Sequence, residues 1–250
     1  MEVLLFFIIG TIFGSFYNVV GYRLPKGQSI ISPPSHCPNC NHRLKPSELI
    51  PIFSYIFQNG KCKNCHQPIS AFYPIFELLT GLLFALSYLS FGFSLDLILS
   101  LTFVSFLIII VVSDYEFMII PDEVLIFFGI VLFGEIWYIN GLNSALSSIL
   151  NGICAFFTMW GIKKFGDFLF KKESMGGGDI KLMFIFGMVL GYPMAILSIF
   201  IGSLVGLPIS LIIMNKKDTH IIPFGPFLAT GALIIFLSKI DLQTLLNFYI

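Results

Sequence analysis

Charge is scarce in this sequence. Only 11% of its 250 residues are Asp, Glu, Lys or Arg, against about a quarter in soluble domains. The 14 acidic and 14 basic side chains cancel, so no basic excess points to nucleic acid and no global field selects a partner. No glycine-rich turn follows a strand-like run, which argues against a soluble nucleotide-binding fold. There is no internal repeat and no low-complexity tail. The first apolar run carries Glu2, has no basic stretch before it and no small-residue cleavage site after it, so it reads as a retained helix and not a signal peptide. What is abundant is apolar. Hydrophobic residues make up 56% of the chain, 29 of them Phe, with a mean hydropathy of +0.91. This composition predicts an all-α, polytopic membrane protein.

Each membrane-spanning helix needs about 20 apolar residues. The runs place spans at about 2–22, 71–91, 95–113, 123–140, 144–162, 180–192, 194–214 and 223–240. The sixth is short. Gly191 and Pro193 lie between it and the seventh, leaving a tight hairpin or one broken helix, so eight spans is the reading and seven the alternative. Thirteen of the 14 basic residues fall in or beside the connections after the first, fifth and seventh spans. Eight alternating spans put those connections on one side, which the excess of Lys and Arg marks as cytoplasmic. The polar stretch 23–70 lies on that side.

That stretch holds Cys37-Pro-Asn-Cys40 and Cys62-Lys-Asn-Cys65, separated by 21 residues. The paired spacing lets two thiolates of each pair point at one ion, the pattern of a four-thiolate zinc site. A reducing cytoplasm disfavours disulfides. Four thiolates leave no open position for substrate, so the metal is expected to be structural, supplying folding energy to a loop with little apolar core. His36, His42 and His66 flank the cysteines and read as solvated. Cys154 lies in a span and reads as packing.

Most acids have plain readings. Glu2, Asp96, Asp167, Glu173, Asp218 and Asp241 fall at span ends or in loops and are expected to be solvated, and Glu48 is read as a loop residue. Asp114 and Asp179 are different. An ionised carboxylate beside hydrocarbon is expensive and is seldom there without a role. Asp114 follows Leu107-Ile108-Ile109-Ile110-Val111-Val112, and Asp179 follows Gly176-Gly177-Gly178, whose missing side chains let other backbone approach. The topology brings both acids to the cytoplasmic membrane face. Two close carboxylates cannot both ionise, so one stays protonated while the other serves as base toward water. Pro121-Asp122 reads as a helix start with Asp122 capping, contact with substrate being the alternative. Glu77 falls about two turns into the second span, either functional or in a buried structural hydrogen bond.

Five segments, in order along the chain, resemble the motifs of bacterial type IV prepilin peptidases. They are Phe13-Gly14-Ser15-Phe16-Tyr17-Asn18-Val19-Val20-Gly21-Tyr22-Arg23-Leu24-Pro25, the two Cys pairs, Ser113-Asp114 to Pro121-Asp122, Gly176-Gly177-Gly178-Asp179-Ile180-Lys181-Leu182, and Pro223-Phe224-Gly225-Pro226-Phe227-Leu228-Ala229. The resemblance covers essentially the whole chain. It implies a membrane aspartic peptidase of the GxGD type that cuts the basic leader from prepilins or pseudopilins after a Gly at the cytoplasmic face. Such enzymes serve pilus assembly, secretion and competence. Its catalytic acids map to Asp114 and Asp179. It also implies N-methylation of the new terminus with S-adenosylmethionine. Asn18, Arg23 and Glu77 are the polar residues best placed for substrate or cofactor contacts, with helix packing and an interfacial charge as the alternative for Asn18 and Arg23. Gly21 and Tyr17 depart from the family pattern, where larger apolar residues and Leu are common. On this reading residues 1–22 form the first membrane helix with its signature, 23–70 the zinc-binding loop and 71–250 the peptidase bundle. The alternatives are a peptidase without methylation, which the four-cysteine loop disfavours, an ion-coupled transporter using the two acids, and a zinc-bearing scaffold that leaves them idle.

Overall fold

The computed structural model describes residues 1–173, 175–216 and 222–240. Asp218 and Asp241 lie outside the described residues. Nine α-helices are found among those described: α1 Glu2–Arg23, α2 Phe53–Phe57, α3 Phe72–Phe91, α4 Leu95–Phe117, α5 Asp122–Asn140, α6 Leu142–Phe170, α7 Gly177–Leu190, α8 Tyr192–Lys216 and α9 Gly225–Ser238. Apart from the five-residue α2, these match the eight expected spans one for one. α1, α3, α4, α6 and α8 are long and apolar enough to cross a membrane, and α9 is a shorter apolar helix. The protein is all-α and multi-pass.

The boundaries differ from expectation where they matter. α4 runs to Phe117, so Asp114 sits in its last turn and not in a loop. α6 has 29 residues and is about 43 Å long at 1.5 Å per residue, longer than the roughly 30 Å hydrocarbon core, and Lys163 and Lys164 lie in its C-terminal third. α7 has 14 residues, about 21 Å. It stops at Gly191, whose φ of 80° suits glycine, and α8 begins at Tyr192. Two separate helices therefore occupy the region read as a hairpin or a broken span.

Lipid tails are as apolar as the side chains, so helices in a bilayer gain most from close approach of small residues. That rule accounts for the main pairings. On α1, Gly10 and Gly14 face α3, where an added Cβ would come within 2.8 Å of Gly81 Cα and 2.9 Å of Glu77 Cα. Gly152 of α6 and Gly187 of α7 are seated against each other's helices in the same way, and Gly202 and Gly206 of α8 lie against Phe227 of α9. α4 lies at the centre, packed on α1, α3, α5 and α9, with Phe103, Val104, Phe106, Leu107 and Ile110 fully buried.

Both departures in the opening signature have a local partner. Gly21 meets Val112 of α4, whose methyl would lie 2.7 Å from an added Cβ, so α4 fills the space a larger residue would take. The Tyr17 hydroxyl donates to Ser105 Oγ of α4 at 2.6 Å, which satisfies a buried polar group. Cys154, expected to pack, is exposed on the outside of α6.

Candidate active site

Three helix ends converge on Asp114 and Asp179, which are only 6% and 8% exposed. Asp114 comes from the C-terminal turn of α4. Its Oδ2 accepts the Gly225 backbone N–H, 3.0 Å away, at the first residue of α9. Asp179 is the third residue of α7, and its Oδ2 lies beside Gly176, the N-cap residue of that helix, 3.6 Å from where a Cβ there would stand. Both carboxylates therefore lie at a helix N-terminus, that of α9 for Asp114 and that of α7 for Asp179, where unpaired N–H groups and the helix dipole favour negative charge. The two carboxylates are close enough to feel each other's charge, and Lys163 of α6 also bears on Asp179.

The acids open onto a cleft of about 630 Å³. Its walls come from Leu24, Pro25 and Gly27 after α1, from Met118 to Glu123 between α4 and α5, and from Gly176, Gly177, Gly178 and Lys181. The α4–α5 turn is fixed by Met118 in the left-handed conformation and by Ser113 Oγ donating to the Ile119 carbonyl at 2.5 Å. The 3-10 turn Leu24–Lys26 is held by Lys26 Nζ lying 3.8 Å from the centre of the Tyr22 ring.

The three glycines before Asp179 are not equivalent. A Cβ on Gly178 would lie 2.9 Å from Ile120 Cβ, whereas one on Gly177 would meet nothing within 4 Å. The close approach is thus made by an isoleucine side chain at Gly178, not by backbone along the whole string.

Asp122 does not cap α5. Pro121 takes the N-cap position without a side-chain bond, and Asp122 instead receives Lys181 Nζ at 2.6 and 2.8 Å. The pair is about half exposed and ties α5 to α7 at the cleft rim.

Asn18, Arg23 and Glu77 are absent from the cleft walls. Arg23 donates to the Ser29 carbonyl at 3.0 Å. Asn18, 3% exposed, donates to the Tyr73 carbonyl at 3.2 Å, and its Oδ1 is buried with no partner among the described residues. Glu77 accepts the Ile52 backbone N–H at 2.7 Å and faces Ser15. Ile52 itself is held at φ 63°, ψ −55°, a conformation that is strained for a β-branched residue.

The four cysteines form one cluster whose sulfurs all lie within 4.8 Å of one another and could hold a metal ion. Cys37–Cys65 is 3.8 Å and Cys40–Cys62 is 3.9 Å. The two pairs are built as copies of one turn, a repeat the sequence reading missed. Cys37 N donates to His42 O and Cys62 N to Gln67 O, while Asn41 and His66 return to Cys37 O and Cys62 O, all at 2.9 Å. Asn41 and His66 have φ of 56° and 57°. The His42 backbone N–H, helped by the Asn64 side chain, draws the Cys40 thiol down to about 6. Glu48, read as a loop residue, is buried. It accepts the Lys45 N–H at 2.8 Å and lies 3.4 Å from His42 Nε2. The Lys45 bond holds its carboxyl below the usual carboxylate range.

Glu135 of α5 was also missed. It accepts the Thr102 hydroxyl of α4 at 2.7 Å, and its other oxygen is buried with no partner among the described residues. An acid in the middle of an apolar run is itself a signal.

The fold and these sites define a class: a helical multi-pass membrane protein with a buried carboxylate pair at one helix-end cleft and a four-thiol module in the loop between α1 and α3. Comparison with known proteins gives the family. Residues 8–91 match the bacterial peptidase A24 N-terminal domain, and residues 101–211 match the type IV leader peptidase family. The chain is 38% identical to a prepilin leader peptidase/N-methyltransferase of Bacillus subtilis (strain 168), over 98% of this chain and 96% of the relative. It is 30% identical to proteins of the same name from Neisseria gonorrhoeae, over 97% and 93%, and from Pseudomonas aeruginosa, over 89% and 85%. Solved structures give no match. The chain belongs to the type IV leader peptidase family.

Proposed function

We propose that this chain is a membrane-embedded aspartic endopeptidase that removes the leader of prepilins or pseudopilins and then methylates the exposed N-terminal amine. The observation that carries the reading is the placement of Asp114 and Asp179, both buried at one cleft, with their carboxylates at the N-termini of α9 and α7. In this reading the ionised aspartate removes a proton from water as the oxygen adds to the scissile carbonyl carbon, and the protonated aspartate donates to the carbonyl oxygen. Collapse of the tetrahedral intermediate breaks the C–N bond, and a carboxyl proton goes to the leaving amine. Gly225 N–H fixes the orientation of Asp114. The exposed Glu123 at the cleft wall meets a basic leader with opposite charge. The cleft faces the cytoplasm of the cell membrane, the side to which the Lys and Arg distribution assigns it.

The cysteine cluster fits zinc. A zinc–sulfur bond of about 2.3 Å in a tetrahedron sets neighbouring sulfurs about 3.8 Å apart, which is the Cys37–Cys65 separation. Cys37, Cys40, Cys62 and Cys65 would hold the ion closed and structural. S-adenosylmethionine would supply an electrophilic methyl group to the neutral amine. Asn18 fits a role in holding it or the amine, because its Oδ1 is a buried acceptor with no partner among the described residues, and positioning supplies much of the rate of such a transfer.

The test is to supply the purified protein in micelles with a prepilin-like peptide and S-adenosylmethionine, and to weigh the product. The expected product has lost the leader and gained one methyl group. A product that has only lost the leader reduces the function to peptidase, and intact substrate contradicts the reading.

A further inference from the structure

The stretch between the two cysteine turns presents five apolar side chains outward: Leu49, Ile50, Phe53, Ile56 and Phe57, with Phe53 60% and Phe57 82% exposed. Such a contiguous apolar patch on a polar loop marks an interaction surface. Its depth relative to the bilayer can be read. Ile52 N–H is bonded to Glu77, five residues inside α3, which starts at Phe72. With 20 residues, α3 matches the roughly 30 Å hydrocarbon core. Glu77 therefore lies about 7 Å inside the span. Amphipathic elements that lie in a membrane surface bury their apolar face by about 5–10 Å.

The backbone here suits lipid contact. Non-helical chain is excluded from hydrocarbon because its N–H groups go unpaired. In this segment Pro51 has none, Ile52 gives its own to Glu77, Phe53 to the Pro51 carbonyl and Ser54 to the Ile50 carbonyl. Exposed Arg43, Lys45, Lys61 and Lys63 flank the segment and match anionic headgroups.

We infer that residues 49–57 form a lipid-seated anchor in the leaflet at the N-terminal end of α3, pinned from within by Glu77 and holding the cysteine module against the membrane. The occupant of the patch is the acyl–headgroup boundary of a bilayer carrying anionic lipid. This inference is independent of the peptidase reading, and its test uses no activity.

The full chain, with Trp137 and Trp160 replaced by Phe, is reconstituted into phosphatidylcholine–phosphatidylglycerol vesicles carrying Phe57→Trp, or Gln67→Trp as a control on the second cysteine turn. Shallow-brominated lipid should quench the Phe57→Trp signal several-fold more than the control, and acrylamide several-fold less. Equal acrylamide quenching at both positions overturns the inference. Protection of Phe57→Trp from both quenchers also overturns it, in favour of a protein surface or a second copy. Unmodified protein provides a second measurement. A lipophilic carbene reagent should label the peptide 49–57 well above the two cysteine turns, and equal labelling contradicts the anchor.

Discussion

At the scale of residues, the two carboxylates lie at the N-termini of α9 and α7, and Gly225 N–H holds that of Asp114, so small changes near them should be felt. Asn in place of Asp114 or Asp179 keeps the size and removes the acid or base. Each replacement should lower cleavage by about 10²–10⁴-fold, the usual worth of general acid–base catalysis, with membrane insertion intact. Gly225→Ala would place a Cβ 2.6 Å from Asp114 Oδ2. Moving a catalytic group by about an ångström costs roughly a hundredfold in rate, and peptide cleavage assays should show a loss of that order. Within the glycine string, Gly178→Ala should lower cleavage strongly because of Ile120, and Gly177→Ala should stay close to wild type. Asp122→Asn removes a half-exposed ion pair, worth about 1 kcal/mol at most, so its effect should be a few-fold. Asp114 and Asp179 were legible because a charge beside a long apolar run is conspicuous. The Gly225 contact was not, because it joins positions 111 residues apart. Asp122 was read as a cap from its type alone, but Pro121 already starts the helix and Lys181, 59 residues away, claims the carboxylate.

At the scale of elements, the cysteine module and the membrane helices are joined through Glu77. Cys37→Ser with Cys62→Ser removes one ligand from each turn. Metal analysis should then fall from about one zinc per chain, as expected for a single four-thiolate site, to none. Glu77→Ala should free the Ile52 turn and raise proteolysis within 49–57, while Glu77→Gln, which keeps an acceptor oxygen, should leave it near wild type. The metal pattern was legible from spacing, since each C-x-x-C pair is local. Glu48 lies in the loop as read, but its burial was not foreseen, because its partners, the Lys45 N–H and His42, exist only once the first turn has closed. The helices themselves were legible from apolar runs. Their true ends were not, since α4 and α6 continue through Asp114 and Lys163, where a hydropathy limit stops.

At the scale of the whole molecule, three glycine-seamed helix pairs build the bundle, with α4 packed on α1, α3, α5 and α9, and the ends of α4, α7 and α9 meet at one cleft. The signature departures fit this plan because α4 compensates both, with Val112 opposite Gly21 and Ser105 opposite Tyr17. Tyr17→Phe should cost the bundle only about 0.6 kcal/mol, the average for interhelical hydrogen bonds in a membrane, measured by unfolding in mixed micelles. Sequence order shows which segments carry motifs, but not that Leu24–Gly27, Met118–Pro121 and Gly176–Gly178 form one wall, because that juxtaposition is made by packing. The account stands most directly on the pairing of Asp114 with Asp179. Purified wild type and Asp179→Asn should be given the same prepilin, and the leader-free product weighed over time. The account predicts complete processing by the wild type and essentially intact substrate with the variant, which should remain folded and metal-loaded. Substantial leader removal by Asp179→Asn would contradict it.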